Sequence, residues 1–510
     1  MNNYKKKVWP IIAGIIFAIT VFATGGFLLK IAGLNMLPMK YFGLAVLAVV
    51  FLLLIIFVCF FVLQAKMKDV VKYVVRGIGI LLTISLVCVD VVGIQMVNKF
   101  EETMSELSDG DEQVKVEEFV IGVYVRAEDK AESLEDAKRY HFGYSLAYDR
   151  NNTKKAINVM ENELDRNLDL EEYKDIFEMV DKVLAKEKDA FVLSTAYMDI
   201  LEDQEGYEDI ADKVKCIHEC VVTTETQVAE KEEQPLDVTK DTFVLYISGN
   251  DTPRATSRAN SDVNILAIIN PTSKQILLLN TPRDFYIPTS ASPDGELDKL
   301  THCGVYGPEC SMETLSEYYD VDIKHYAQIN FTGFIRLVDA LGGITVYSEK
   351  EFYTTNEGYY FQYGANEVDG EHALAFVRER KQFGGGDHAR GKHQMAVIKG
   401  MIQKMSSGSL LTNYNQVLDS MGGYFRTNVS QEELSAIVKM QLNEMPEWNI
   451  QTYAVSGVGE NKTSFTLPRY STYVMIPNED TVAHAKTLIQ MVYDGETIEA
   501  EDLVVPKKEQ

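Results

Sequence analysis

Basic residues are in short supply: the 510-residue chain has 49 lysines and arginines against 75 aspartates and glutamates, a formal charge of −26. The deficit is general, since Glu101–Lys240 carries 38 acidic and 17 basic residues and Asp241–Gln510 carries 35 and 22. A surface that tracks a polyanion needs the opposite balance, which argues against nucleic-acid binding. Histidine is sparse as well, with eight residues; His302, His325, His372, His388 and His393 form no spaced ligand set of the kind zinc requires. Cysteine is limited to six. Cys59 and Cys88 lie in apolar runs, where a thiol is a small apolar filler. Cys216/Cys220 and Cys303/Cys310 are each close enough in sequence to form a disulfide in an oxidising compartment, the second pair first, with zinc as the alternative. An Ala-x-Ala cleavage signal is missing after the first apolar run, and two further runs follow at once, which argues against a secretory leader.

Long apolar runs are present. Trp9–Leu29, Tyr41–Leu63 and Val74–Val97 are each long enough to cross roughly 30 Å of hydrocarbon as a helix. Lys5, Lys6 and Lys7 precede the first, and Lys66, Lys68, Lys72 and Arg76 crowd the loop after the second, whereas the loop between has only Lys30 and Lys40. By the positive-inside rule the N-terminus is cytoplasmic and everything beyond Val97 is outside. Asp90, inside the third run, sits either near an interface or against another span.

The soluble remainder exceeds the size of one typical domain, roughly 100–150 residues. Segment 99–226 reads as an acidic α/β accessory domain. Val114–Arg126 alternates like a half-buried strand pair, Asn151–Asn167 and Leu170–Glu187 have helical spacing, and Ala190–Met198 is strand-like. Residues 227–240 read as a linker. In 241–406, Phe243–Ile247 is a buried central strand; Val263–Ile269 and Gln275–Asn280 form a hairpin around Pro271-Thr272-Ser273-Lys274. Leu315–Tyr319, Phe331–Leu341, Asp387–Lys404 and Gln431–Asn443 are helical, with Gly342-Gly343 ending the second before the strand Ile344–Tyr347. This alternation specifies an α/β core with helices on both faces, continued by 407–510. The aromatics Tyr353, Tyr359, Tyr360, Phe361 and Tyr363 read as strand packing.

Against the acidic background one cationic stretch stands out, Phe376–Gln394, where Arg378, Arg380, Lys381, Arg390 and Lys392 surround Gly384-Gly385-Gly386 and Asp387. Guanidinium forks match phosphate oxygens and stay charged at any working pH. Asp251, Asp262 and Asp284 lie in loops at strand ends, the third beside Arg283. Singly each reads as a turn or N-cap aspartate. With arginines 283, 378, 380 and 390 they have the composition of a pyrophosphate site, carboxylates for Mg²⁺ on one side and guanidinium groups on the other.

Gly249-x-Asp251, Asn260-Ser261-Asp262-Val263-Asn264, Thr281-Pro282-Arg283-Asp284, Asp298-Lys299-Leu300, Val338–Gly343 and Arg378-x-Arg380 followed by Asp387-x-x-Arg390-x-x-x-Gln394 occur in order. Over Thr242–Met405 they resemble the LytR-CpsA-Psr family, and the three-span N-terminus with an intervening domain resembles its capsule-associated CpsA subgroup. The resemblance implies a mixed sheet between helices and a long apolar pocket for a polyprenyl chain. It implies Mg²⁺-dependent transfer of a glycopolymer phosphate from a polyprenyl pyrophosphate carrier to peptidoglycan. By motif, Asp251 and Asp262 would ligate the metal; Arg283, Arg378, Arg380 and Arg390, with Lys299 and Gln394, would hold the pyrophosphate; Asp387 would orient an arginine or act as base. Many relatives have arginine directly before the Ser-Asp pair, where this chain has Asn260; Arg258 and Arg254 stand in the same loop. Two other activities fit the same residues: a regulator that binds the carrier lipid without turnover, and a hydrolase of it.

Overall fold

The computed structural model describes residues 2–65, 68–107, 114–146, 149–227, 236–250, 258–383, 387–409 and 413–506. Three long helices come first, α1 (Asn2–Leu34), α2 (Met39–Phe57) and α3 (Asp69–Leu107). Within them, and continuing one turn past α2, Val8–Leu34, Met39–Val62 and Val70–Ser105 are long and apolar enough to cross a membrane. Phe22, Leu29, Leu47 and Leu81 point outward from the bundle, as side chains facing hydrocarbon do. Asp90 is buried against another span, accepting a 2.6 Å hydrogen bond from Thr24 Oγ1 of α1. The third helix does not stop at the bilayer's expected edge. Its end packs Phe100 and Met104 against Leu418, Met421 and Phe425, seating the anchor on the C-terminal domain.

The accessory domain is a five-stranded mixed sheet in the order β3 (Asp169–Tyr173), β2 (His141–Ser145), β4 (Ala190–Ser194), β1 (Val114–Arg126), β5 (Val214–Gln227). Here the sequence reading needs correction. Val114–Arg126 is one long strand, paired with β5, which the reading missed. Leu170–Glu187 starts as strand β3 and becomes a helix only at Ile176. The reason is tertiary: β3 is an edge strand, so its acidic outward residues face water and its pattern reads as polar helix. Helix α4 (Arg150–Glu163) covers one face, burying Ala156, Ile157 and Met160 on Ile121, Val123 and Phe142. Helix α5 (Ile176–Leu184) covers the other, capped by Asp175, whose side chain accepts from Phe177 N. The core beneath α5 runs on into Val305 and Leu467 of the next domain. Two short helices follow β4, α6 (Met198–Glu202) and α7 (Ile210–Lys213).

The C-terminal domain is built on a six-stranded mixed sheet in the order β16 (Phe425–Thr427), β11 (His325–Asn330), β6 (Phe243–Asn250), β7 (Val263–Asn270), β8 (Gln275–Asn280), β17 (Asn449–Ala454). The predicted hairpin is there as β7–β8, and β6 is internal, as its uninterrupted apolar run requires. Alternate residues face opposite layers. Leu266, Ile268, Leu277 and Leu279 meet Leu315 and Tyr319 of α8 (Pro308–Tyr319) and Leu488 and Val492 of the helix Glu479–Asp494. Ile265, Ala267, Ile276 and Leu278 meet Met395 and Ile398 of α11 (Asp387–Lys404), whose bounds match the sequence reading. Helix α9 (Phe331–Ala340) is closed by Gly342 and Gly343 at φ of 77° and 80°, a left-handed conformation that favours glycine. Between α9 and α10 (Gly370–Arg378), β12 (Ile344–Ser348) pairs with β15 (Gly364–Val368), and β13 (Phe352–Tyr353) with β14 (Tyr360–Phe361).

All six cysteines are thiols in the structure, so the expected Cys303–Cys310 disulfide is not formed. Cys216 and Cys220 lie on strand β5 on either side of a bulge, which leaves Cys216 exposed and Cys220 buried. Of the aromatics read as strand packing, Phe361 is buried, but Tyr353, Tyr360 and Tyr363 point into solvent.

Candidate functional site

Strands β6, β8 and β11 run in one direction and β7 in the other, so the ends of β6, β8 and β11 meet the start of β7 at one edge of the sheet. Ligands of open α/β sheets bind at the carboxyl ends of the strands. Asp262 sits just before β7, Arg283 and Asp284 just after β8, and the start of α11 crosses above them. Close approach is possible because residue 391 is glycine, lying directly on the Asn280 side chain at the end of β8. A cavity of about 700 Å³ opens at this edge, lined by Arg283, Arg378, Arg380, Arg390, Asp262 and Gln394 among others.

The four arginines form two tiers. Arg283 and Arg390 are largely buried, and Arg390 Nη2 lies 3.5 Å from the Asp262 carbonyl. Arg378 and Arg380 are exposed at the rim, with Glu379 buried between them. The backbone is extended at Glu379, so neighbouring side chains alternate in direction. Glu379 accepts hydrogen bonds from Thr355 N, Thr355 Oγ1 and Gln382 N, which overcome its burial and hold its carboxyl below the usual range. It thereby pins the arginine strand to the β13–β14 hairpin.

Arg283 is ringed by carboxylates. Its Nη2 donates to both oxygens of Asp203, at 2.6 and 2.7 Å, its Nη1 pairs with Asp262, and Asp284 lies 3.7 Å from Nε. Burial works against the charged guanidinium, but Asp262, Asp203 and Asp284 raise its pKa above the ordinary value. Lys299 does not line the cavity. It is buried behind Arg283, 3.6 Å from Asp203 and 3.5 Å from Asp284. Below it, Asp298 accepts from Lys299 N, pairs with His302 Nδ1 at 2.7 Å and accepts from Thr466 N. Burial would raise the Asp298 pKa; His302 and Thr466 keep it low.

Asp251 and Arg254, and the triple glycine 384–386, lie outside the described residues. Asp387 is the first residue of α11, one turn before the cavity-lining Arg390. Asn260 lines the cavity, and its Oδ1 is a buried acceptor with no hydrogen-bond partner among the described residues. An orphaned hard oxygen on the wall of the cavity that Asp262 also lines suits Mg²⁺, a hard cation that takes oxygen ligands and retained water. Arg258 does not replace the missing arginine: it stacks on Phe119 of the accessory domain, 4.5 Å from the ring centroid. His393 does not reach the site either, being enclosed by Phe352, Phe376 and Phe383. Burial drives its pKa down to about 4.

Two participants escaped the sequence reading. Glu379 could have been found from the Arg-x-Arg spacing, since the middle residue of an extended triplet faces the core. Asp203 could not, because it comes from the accessory domain 80 residues before Arg283.

The chain thus combines three helices long and apolar enough to cross a membrane with an α/β domain whose strand ends open on an arginine-lined cavity. The profile of the LytR_cpsA_psr family matches residues 211–485, more than half of the chain, and the chain belongs to that family. The match begins upstream of Thr242 and ends well beyond Met405, taking in β5 and the first two turns of the C-terminal helix. The polyisoprenyl-teichoic acid–peptidoglycan teichoic acid transferase TagU of Oceanobacillus iheyensis is 31% identical over 261 residues, 50% of this chain and 79% of that one. TagU of Enterococcus faecalis is 33% identical over 218 residues, 42% and 71% respectively. Among solved structures, TagT bound to LIIa-WTA aligns over 53% of this chain and 94% of its own, at 26% identity and a TM-score of 0.42.

Proposed function

We propose that this protein is a membrane-anchored glycopolymer–peptidoglycan phosphotransferase. It moves a capsule- or teichoic-acid-type polymer from a polyprenyl pyrophosphate carrier to a peptidoglycan hydroxyl on the outer face of the membrane. The observation that carries the reading is the cavity that gathers Arg283, Arg378, Arg380 and Arg390 around Asp262, in a chain similar to transferases of that name.

Phosphoryl transfer demands little covalent work from the protein; it needs charge neutralisation on the non-bridging oxygens and alignment of nucleophile and leaving group. The buried Arg283 and Arg390 would hold the pyrophosphate in depth, and Arg378 and Arg380 would close on it from the rim. The acceptor oxygen forms a bond to the phosphorus next to the polymer while the bridging P–O bond breaks, releasing polyprenyl phosphate. Asp387, at the start of α11, is the candidate to take the hydroxyl proton. Asp262 and Asn260, with Asp251, are the candidates to hold Mg²⁺, which when bound would neutralise oxygens of the donor. The packing of the end of α3 on the catalytic domain keeps the site beside lipid-borne donor and raises its effective concentration.

The test uses purified full-length protein, labelled lipid-linked polymer and peptidoglycan fragments. Arg283→Ala is expected to lower transfer by about 10²–10³-fold, the loss usual for one buried transition-state donor. Arg380→Ala is expected to lower transfer with no change in melting temperature, since its side chain is exposed. Removal of Mg²⁺ by chelation is expected to weaken donor binding as well as turnover. Transfer indifferent to Arg283→Ala, or release of free polymer without attachment to peptidoglycan, would sink the proposal.

A further inference from the structure

Asp203 follows α6 of the accessory domain, yet it lines the same cavity as the arginines and takes both of its short hydrogen bonds from Arg283. It lies outside residues 211–485, so the family match assigns it nothing. Its loop is fastened to the catalytic domain. Thr472 Oγ1 donates to the Asp203 carbonyl at 3.2 Å, Gln204 Nε2 to the Ser471 carbonyl at 3.4 Å, and the accessory core continues through Val305 and Leu467. A purely structural ion pair would be sealed in the interface; this one faces the cavity. Burial alone would raise the Asp203 pKa, but Arg283, Lys299 and His302 outweigh it and keep the carboxylate ionised. Around the buried cations Arg283 and Lys299 there are thus three carboxylates, Asp203, Asp262 and Asp284.

We propose that Asp203 is a positioning residue through which the accessory domain sets donor affinity: it is the counter-ion of Arg283 that an incoming pyrophosphate must displace. Resting on the pyrophosphate reading above, this gives the acidic domain a role in the site. Without a carboxylate of its own in that place, the catalytic domain would hold its anionic donor, and the polyprenyl phosphate left behind, more tightly. Two like charges a few ångströms apart in a partly buried site interact strongly enough for one carboxylate to change anion affinity on the order of tenfold.

The experiment titrates the full-length protein in detergent with inorganic pyrophosphate and Mg²⁺ by calorimetry. Asp203→Asn keeps the shape and removes the charge, and is expected to tighten binding on the order of tenfold; Asp203→Glu is expected to return it to the wild-type value. In the transfer assay Asp203→Asn is expected to lower KM for the donor without raising kcat. A residue that merely holds the fold would weaken binding when replaced, so binding that is weaker or unchanged in Asp203→Asn overturns the proposal. Arg283→Ala separates the two readings. If it abolishes binding while Asp203→Asn leaves it unaltered, the counter-ion role alone fails. If wild-type binding survives Arg283→Ala, the pyrophosphate site fails and the role of Asp203 with it.

Discussion

At the residue scale the site shows how burial and charge are traded. Four of the nine residues expected at the site from sequence, Arg283, Arg390, Asp262 and Gln394, are brought together around the cavity floor, and Arg378 and Arg380 stand at its rim. Lys299 is displaced to a supporting position, because a buried ammonium finds its partners in Asp203 and Asp284 before it finds solvent or ligand. His393 carries a separate consequence. Its folded pKa, about 4, is depressed below the ordinary 6.5 by burial among phenylalanines. A group whose folded pKa is lowered stabilises the fold above its unfolded pKa and loses that contribution as pH falls. Stability should therefore decline between about pH 6.5 and about 4, by on the order of 3 kcal/mol from this one group. Denaturant titrations across that range should show the decline in the wild type and a flatter profile in His393→Phe.

At the element scale, the helix α11 is legible from spacing, but its function depends on one contact the spacing does not show. Gly391 lets the helix start lie on Asn280, and a methyl group there would overlap the buried Asn280 amide. Gly391→Ala should push the first turn of α11 away from β8 and carry Arg390 with it. We expect a loss of transfer activity of tenfold or more, larger than the accompanying loss of stability, measured by donor turnover beside thermal unfolding. The accessory strands teach the converse lesson. Leu170–Glu187 satisfies a helical pattern, yet its first residues join a sheet edge, since pairing with β2 is a long-range term that local periodicity omits. Strand β5 went unseen for the same reason: its polar and apolar residues are ordered by the bulge opposite Val123 and Tyr124.

At the scale of the whole molecule, three helices, an acidic domain and a catalytic domain are fastened at both joints. Lys99 pairs with Asp419 at 2.5 Å, and Phe100 and Met104 pack on Leu418, so the third helix ends inside the catalytic domain's surface. The proposed orientation, with both soluble domains outside, makes Cys216 the accessible thiol. It is exposed, whereas Cys220, Cys303 and Cys310 are buried and Cys88 lies in a spanning helix. A membrane-impermeant maleimide applied to intact cells should label the wild type and fail to label Cys216→Ser. Labelling that appears only after lysis would reverse the orientation.

The amino-acid sequence alone determined the three spans, the α/β class of the catalytic domain, the β7–β8 hairpin, α11 and the arginine–aspartate motif. These are written locally, in apolar run length, residue periodicity, turn residues and motif order. Only the tertiary structure decided that Asp203 of the accessory domain sits on Arg283, that Lys299 stands behind it, that Arg258 turns away to Phe119, and that Thr355 is the partner Glu379 finds. Each of those is a charge or hydrogen bond satisfied across a large sequence separation. Which partner a buried charge finds depends on what the folded chain brings within reach, and no local pattern records it.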